Sequence, residues 1–139
     1  MENLFIETPS LYDFDKTVEM LSEAIVQGGW KISVTHDLQG TLLKNGIEVL
    51  PVKVIELCNA MLASQLLIAN DTRKYSAMLP CRISVYEKED GLTYTSIMNT
   101  VSLALQIGGV AEAVMMDAFW EADKFISIVT KKKSYNNLN

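Results

Sequence analysis

Residues 78–98, MLPCRISVYEKEDGLTYTSIM, carry the strongest structural signal in this sequence. Apolar and polar residues alternate on both sides of the turn Glu89-Asp90-Gly91, and an Asp-Gly pair between two alternating runs is typical of a β-hairpin. The pattern predicts one strand over Met78–Tyr86 and an antiparallel partner over Leu92–Met98. At least part of the fold is therefore expected to be an antiparallel sheet.

The sequence on either side of the hairpin alternates between helix and strand patterns. The flanking elements are predicted as a strand at Asn3–Glu7, a helix from Asp13 to Gly28-Gly29, a strand at Trp30–Leu38, a helical turn at Leu38–Lys44, a strand at Glu48–Cys58, a helix at Ala60–Asn70, a loop at Asp71–Ser76, a short helix at Val101–Ile107 and a long helix from Val110 to Lys131. This order predicts an α+β fold, in which helices cover a mostly antiparallel, curved sheet and the C-terminal helix is long.

Length and charge narrow the class of protein. The 139 residues fit one domain, 1–139, with a polar C-terminal tail at 131–139. A net charge of -5 disfavours the binding of a polyanion, so nucleic-acid binding is not expected. The only basic run, Lys131-Lys132-Lys133, is interpreted as a solvated helix end. No apolar stretch is long enough to span a membrane and no export signal is recognisable, so a cytoplasmic location with reduced thiols is expected.

Two cysteines, Cys58 and Cys81, mark the candidate site. Cys58 ends a predicted strand just before a helix whose N-cap is Asn59, and a helix N-terminus favours the thiolate form of cysteine. Cys81 is in phase with the apolar residues of the hairpin strand and is expected to point inward. Two interpretations stay open. Both thiols are small buried hydrophobes, or they form a reversible dithiol.

The remaining candidates are polar residues on neighbouring predicted strands. His36, the only histidine, alternates with apolar residues and is expected near the inner face of the sheet. Glu56 alternates with Cys58, so it either lies beside the thiol as a general base or at an exposed sheet edge. A zinc site would lack close ligand pairs such as C-x₂-C, so no metal is predicted and any cofactor is unknown. The candidate ligand-binding set is Cys58, Asn59, Cys81, His36 and Glu56.

Three segments of the chain resemble one known family. They are Phe14-Asp15-Lys16-Thr17-Val18 with Gly29 before the next strand, Val54-Ile55-Glu56-Leu57-Cys58-Asn59, and Leu79-Pro80-Cys81-Arg82-Ile83-Ser84-Val85-Tyr86. Over Asn3 to Val129 the sequence is similar to the domain of unknown function 302 family. The resemblance implies a TATA-binding-protein-like β-α-β-β-α-β-β-α order, often paired into homodimers, and no established activity.

The predicted C-terminal helix is more apolar than one packed face requires. Met115, Met116, Phe119 and Trp120 widen its apolar stripe. These side chains are interpreted as core or as the interface of a homodimer. Alternatively, a methionine-rich wall lines a pocket for a small apolar ligand between this helix and the sheet.

Two functional hypotheses follow. Sequence signatures of phosphate-binding loops, serine hydrolases and zinc peptidases are absent. The leading hypothesis is a non-catalytic small-ligand-binding or accessory domain, with a groove between sheet and C-terminal helix near Cys58. The alternative is a thiol-dependent redox enzyme that uses Cys58, with Cys81 as the resolving cysteine. Whether the chain is an enzyme stays open.

Overall fold

The hairpin expected from residues 78–98 is present in the computed structural model, which describes residues 3–130. Its strands are β4, Cys81–Glu87, and β5, Thr93–Met98, and they pair antiparallel. At the turn Gly91 has a φ of 78°, a left-handed conformation that glycine adopts without strain. The Asp90 carboxylate accepts a hydrogen bond from the Leu92 N–H and helps to close the turn.

Three further strands join β4 and β5 in a sheet that has five strands within residues 3–130. They are β1, Phe5–Pro9; β2, Lys31–Asp37; and β3, Val52–Cys58. The strand order is β1-β5-β4-β3-β2, and every neighbouring pair is antiparallel. The antiparallel character expected from the sequence is confirmed, and the first strand lies at one edge beside the last.

Helices connect the strands as expected for an α+β fold. They are α1, Phe14–Gln27; α2, Leu38–Leu43; α3, Ala60–Leu67; α4, Val101–Ile107; and the long α5, Gly109–Ser127. The Asp13 side chain accepts from the Lys16 N–H at 2.8 Å and so caps α1, at the position where the sequence predicted this helix to begin. Residues Asn70–Met78 form a 3₁₀ segment where the sequence predicted a loop.

Helices α1 and α5 pack against one face of the sheet and form the core with it. The Trp30 ring meets Phe125 edge-on, with ring centroids 6.2 Å apart. Burying a large apolar side chain stabilises a fold by about 1.5–3 kcal/mol, so this layer contributes most of the stability. The core includes Leu21, Ile25, Ile55, Leu57, Ile83, Val85, Ile97, Phe119, Ile126 and Val129.

The opposite face of the sheet, here called the open face, contains no buried side chain among the described residues. Alternation along each strand separates it from the core face. In β3 and β4, for example, Ile55 and Ile83 are buried while Glu56 and Arg82 are not. The open face comprises Phe5, Glu7, Pro9, Val34, His36, Val52, Val54, Glu56, Cys58, Arg82, Ser84, Tyr86, Tyr94, Ser96 and Met98.

A bulge in β2 corrects the predicted position of His36. Ile32 lies opposite Leu57, whereas Val34 lies opposite Glu56, so one extra residue, Ser33, is inserted between them. An extra residue reverses the alternation beyond it. The prediction that His36 faces inward is therefore wrong, and this side chain lies on the open face.

The end of α5 also differs from its predicted position. The helix ends at Ser127, before the expected Lys131, and Thr130 pairs with Ser10 in an isolated antiparallel bridge. Met116 and Trp120 are partly buried, and Trp120 packs against the core. The basic run and the polar tail at 131–139 lie outside the described residues.

Candidate functional site

The five residues predicted to form a ligand site do not converge on one point. Cys81 projects from the core face of the sheet, while His36 and Glu56 lie on the open face. Asn59 follows β3, and its side chain accepts from the Leu62 N–H at 3.2 Å, which confirms it as the N-cap of α3. The structure therefore divides the predicted site into a thiol region and a polar region.

Cys81 lies in a small apolar cavity at one end of the core. The cavity has a volume of about 20 Å³, which is room for a single water molecule. Burial, followed by the charge of Cys58, raises the pKa of the Cys81 thiol to about 11. Cys81 is therefore a neutral thiol near pH 7. Its surroundings include Trp30, Leu57, Leu62, Leu79, Val114 and Ala118.

The two cysteines are not brought together as a pair. In the register of β3 and β4, Cys81 lies opposite Leu57, while Cys58 lies opposite Lys31 of β2. Because successive strand residues point to opposite faces, the two side chains leave the sheet in different directions. Both thiols are free. A dithiol centre would require a different register or a shift of the strand ends.

One polar cluster on the open face joins three strands. Arg82 Nε donates to Glu56 Oε1 at 3.2 Å, and His36 Nε2 lies 2.9 Å from the same oxygen. The hydrogen bond with His36, supported by that from Arg82, holds the pKa of Glu56 below its ordinary value. Glu56 is thus a stable carboxylate, and a lowered pKa makes it a weak general base.

A second polar cluster lies toward the hairpin end of the open face. Glu7 accepts hydrogen bonds from the Tyr86 hydroxyl and from Lys88 Nζ, the latter at 2.7 Å. Lys88 also lies over the Tyr94 ring, 4.4 Å from its centroid, and the Tyr94 hydroxyl donates to Asp90. The Tyr86 and Tyr94 rings stack with centroids 6.2 Å apart. Burial, followed by the hydrogen bond to Glu7, raises the pKa of Tyr86.

Neither cluster resembles a metal centre. Within residues 3–130, no three His, Cys, Asp or Glu side chains come together in a way that could hold a metal ion. No helix in the same part of the chain is long and apolar enough to cross a membrane.

Sequence reasoning did not assign the other members of the two polar clusters, such as Arg82, Glu7 and Lys88, to a site. Arg82 carried a detectable signal, because it alternates with Ile83 in a strand that was correctly predicted. Glu7 and Lys88 carried none, because they are far apart in sequence and only the pairing of β1 with β5 brings them together.

Within residues 3–130, the fold and the open polar face define an α+β domain whose antiparallel sheet is covered by helices on one face. The chain belongs to the family described as Domain of unknown function DUF302, whose model matches residues 6–126. It is similar to a crystal structure of an uncharacterized conserved DUF302 protein from Bacillus stearothermophilus, with a TM-score of 0.78 and 20% identity over 91% of this chain and 98% of that chain. That likeness shows a shared fold. No curated protein matches the sequence.

Proposed function

We propose that this chain is a non-catalytic binding domain, and that it binds a small, partly apolar carboxylate on the open face around Arg82. The observation that carries the proposal is the exposure of Arg82. Its side chain is 63% exposed although its Nε is held by Glu56, which is only 14% exposed. A positioned but accessible guanidinium is typical of a binding site for a carboxylate.

The hydrogen-bonding capacity of Arg82 supports this proposal. A guanidinium has five N–H donors, and the bond to Glu56 uses only the one at Nε. The four donors on the terminal nitrogens have no acceptor among residues 3–130. Two of them can hold the two oxygens of a carboxylate in parallel, which gives direction as well as affinity.

Apolar neighbours on the same face supply the second half of the site. Val34 lies opposite Glu56, and the register of β4 with β5 carries Met98 to the position beside Arg82. Both side chains are substantially exposed, Met98 by 56%. An apolar group attached to the carboxylate would cover them and gain about 25 cal/mol per Å² of buried apolar surface.

The groove beside Cys58 is a less suitable site for a ligand. Pockets for small organic ligands usually occupy about 300–1,000 Å³, whereas the cavity between sheet and α5 has about 20 Å³. The redox alternative is also weaker, because the raised pKa of Cys81 disfavours the thiolate that exchange chemistry requires. Without Cys81 as a resolving partner, Cys58 could react only as a single thiol.

A titration followed by nuclear magnetic resonance tests the proposal. Aliphatic and aryl carboxylates are added to the ¹⁵N-labelled protein, with the corresponding uncharged amides as ligand controls. Carboxylates should shift the signals of Arg82 Nε and of the strand amides around Glu56, and Arg82→Gln should abolish these shifts. Arg73→Gln is the matched control, because Arg73 donates to the Leu67 carbonyl outside the sheet. Equal shifts with the amides, or in Arg82→Gln, would contradict the proposal.

We also propose that the chain folds as one domain, is located in the cytoplasm and does not bind nucleic acid. The free thiols support a reducing compartment. Three carboxylates lie on or near the sheet, those of Glu7, Glu56 and Asp90. Their negative charge would repel the phosphates of a nucleic acid. A band-shift titration at low salt should show no complex. Micromolar binding that weakens steeply with added salt would show the opposite.

A homodimer is the final part of the proposal. Helices α3 and α4 and the first turn of α5 carry exposed apolar side chains, and α3 and α4 both contact α5. Exposed apolar patches of this kind are favoured sites of self-association. They include Met61, Ile68, Leu103, Leu105 and Val110.

A further inference from the structure

A second cavity lies between helix α2 and the segment that leads into β3. It has a volume of about 440 Å³. Pockets for small organic ligands usually occupy about 300–1,000 Å³, so this cavity is large enough, whereas the cavity beside Cys81 is not. None of its lining residues belongs to the sheet, so it is separate from the site around Arg82. The lining residues are Gln39, Leu43, Glu48, Val49 and Leu50.

Hydrogen bonds hold the two walls of this cavity in place. Gln39 Nε2 donates to the Val49 carbonyl at 3.1 Å and so links α2 to the opposite wall. The Asp37 side chain caps the start of α2. At the other end of the helix, the Ile47 N–H donates to the Leu42 carbonyl at 3.0 Å and turns the chain back along α2. The cavity is therefore formed before a ligand binds, which reduces the ordering that binding requires.

The walls of the cavity carry apolar side chains that the rest of the described chain leaves exposed. No residue of α2 is buried, although three of its six residues are leucines. A single exposed apolar residue is ordinary, but a contiguous group beside a cavity is typical of a binding site. The exposed apolar residues of this region are Leu38, Leu43, Ile47, Val49 and Leu50.

Two unused hydrogen-bond acceptors indicate the charge of the ligand. Within residues 3–130, the Glu48 carboxylate forms no hydrogen bond or ion pair, and Gln39 Oε1 accepts no hydrogen bond. Lys44, the first residue after α2, forms no ion pair with Glu48 in this part of the chain. None of the lining residues is a lysine or an arginine. These acceptors favour a cationic donor, and an alkylammonium group offers three N–H donors with a positive charge.

We propose that this cavity binds a small apolar primary amine in its ammonium form. The ammonium group donates to the Glu48 carboxylate and to Gln39 Oε1, and the apolar body lies against Leu43, Val49 and Leu50. Burial of the apolar body adds affinity in proportion to the surface that it covers. This site does not depend on carboxylate binding at the open face.

A nuclear magnetic resonance titration of the ¹⁵N-labelled full chain with n-hexylammonium tests this site. The amides of residues 39–50 should shift to saturation, whereas those around Arg82 should not. n-Hexanol and methylammonium are the ligand controls, because the first lacks the charge and the second lacks the apolar chain. Both should bind at least about threefold more weakly than n-hexylammonium. The absence of saturable shifts in residues 39–50 would overturn the proposal.

Glu48→Gln removes the negative charge and keeps the shape of the side chain. It should weaken n-hexylammonium binding about three- to tenfold and leave n-hexanol binding unchanged. Glu23→Gln, on an exposed position of α1, removes the same charge elsewhere and should bind as the wild type does. Leu43→Ala should weaken both ligands, because each loses apolar contact. Equal affinity of the wild type for the two ligands, or equal losses in Glu48→Gln and Glu23→Gln, would overturn the recognition of an ammonium group.

Discussion

Arg82 and Glu56 lie opposite each other on adjacent strands, and Arg82 Nε donates to Glu56 Oε1 over 3.2 Å. The same oxygen lies 2.9 Å from His36 Nε2, so one carboxylate orients a histidine and an arginine. All three residues stand on strands rather than loops. A guanidinium held in this way is presented from a rigid element, which favours a directional contact with an anion.

Mild acid should destabilise the fold through Glu7. The hydrogen bond from Lys88, followed by that from Tyr86, holds the pKa of Glu7 below its ordinary value of 4.5. A carboxylate with a lowered folded-state pKa stabilises the fold above its unfolded pKa, and this contribution is lost as the pH falls through the folded pKa. The free energy of unfolding should fall from about pH 5 to pH 3, with less than about 1 kcal/mol due to Glu7, because exposed pairs are screened.

Urea unfolding of wild type and Glu7→Gln across this pH range measures the effect. The variant should lose less stability than wild type between pH 5 and pH 3. Glu23→Gln, on an exposed position of α1, is the control and should follow the wild type. Identical pH dependence in wild type and Glu7→Gln would mean that the contact with Lys88 does not persist in solution.

Cys58 should react with a neutral alkylating reagent before Cys81. Burial raises the pKa of Cys81 to about 11, so at pH 8 only about one molecule in a thousand carries its thiolate. Mass spectrometry of Cys58→Ser and Cys81→Ser, alkylated from about pH 5 to pH 9, separates the two thiols. Faster reaction in Cys58→Ser, where only Cys81 remains, would refute this order.

Loss of a core side chain between the sheet and the helices should cost far more than loss of an exposed one. Leu57 is fully buried, and Leu57→Ala should lower the free energy of unfolding by about 2–5 kcal/mol. Val26→Ala, on the exposed side of α1, should change it by no more than about 0.5 kcal/mol. Denaturant unfolding followed by circular dichroism gives both values, and similar losses would place Leu57 outside the core.

We expect the protein to be a homodimer in solution. Light scattering should give about twice the chain mass of 15.5 kDa. If the exposed apolar residues near α4 form the interface, Leu105→Glu should shift the protein toward monomer, because it buries a charge at the contact. Val26→Glu, equally exposed on α1, should not. A wild-type monomer at high concentration would exclude the dimer.

The sequence by itself determined the local elements and the family. The Asp90-Gly91 turn between alternating runs specified the hairpin, since its left-handed glycine and the Asp90 side chain act within a few residues. Asp13 and Asn59 were recognisable as caps for the same reason: each bonds an N–H three residues ahead. Such short-range hydrogen bonds can be recognised from the sequence, because they do not depend on residues far away in the chain.

Only the tertiary structure decided which residues face each other. The bulge at Ser33 turns His36 to the open face, and it exists only in the pairing of β2 with β3. Cys81 and Cys58 are separated because Cys81 pairs with Leu57. A dithiol would need a register shifted by one residue, in which Cys81 lies opposite Cys58. The contact of Glu7 with Lys88 requires strands from opposite ends of the chain. Register is set by burial of one whole face, a property of the assembled sheet that no single strand contains.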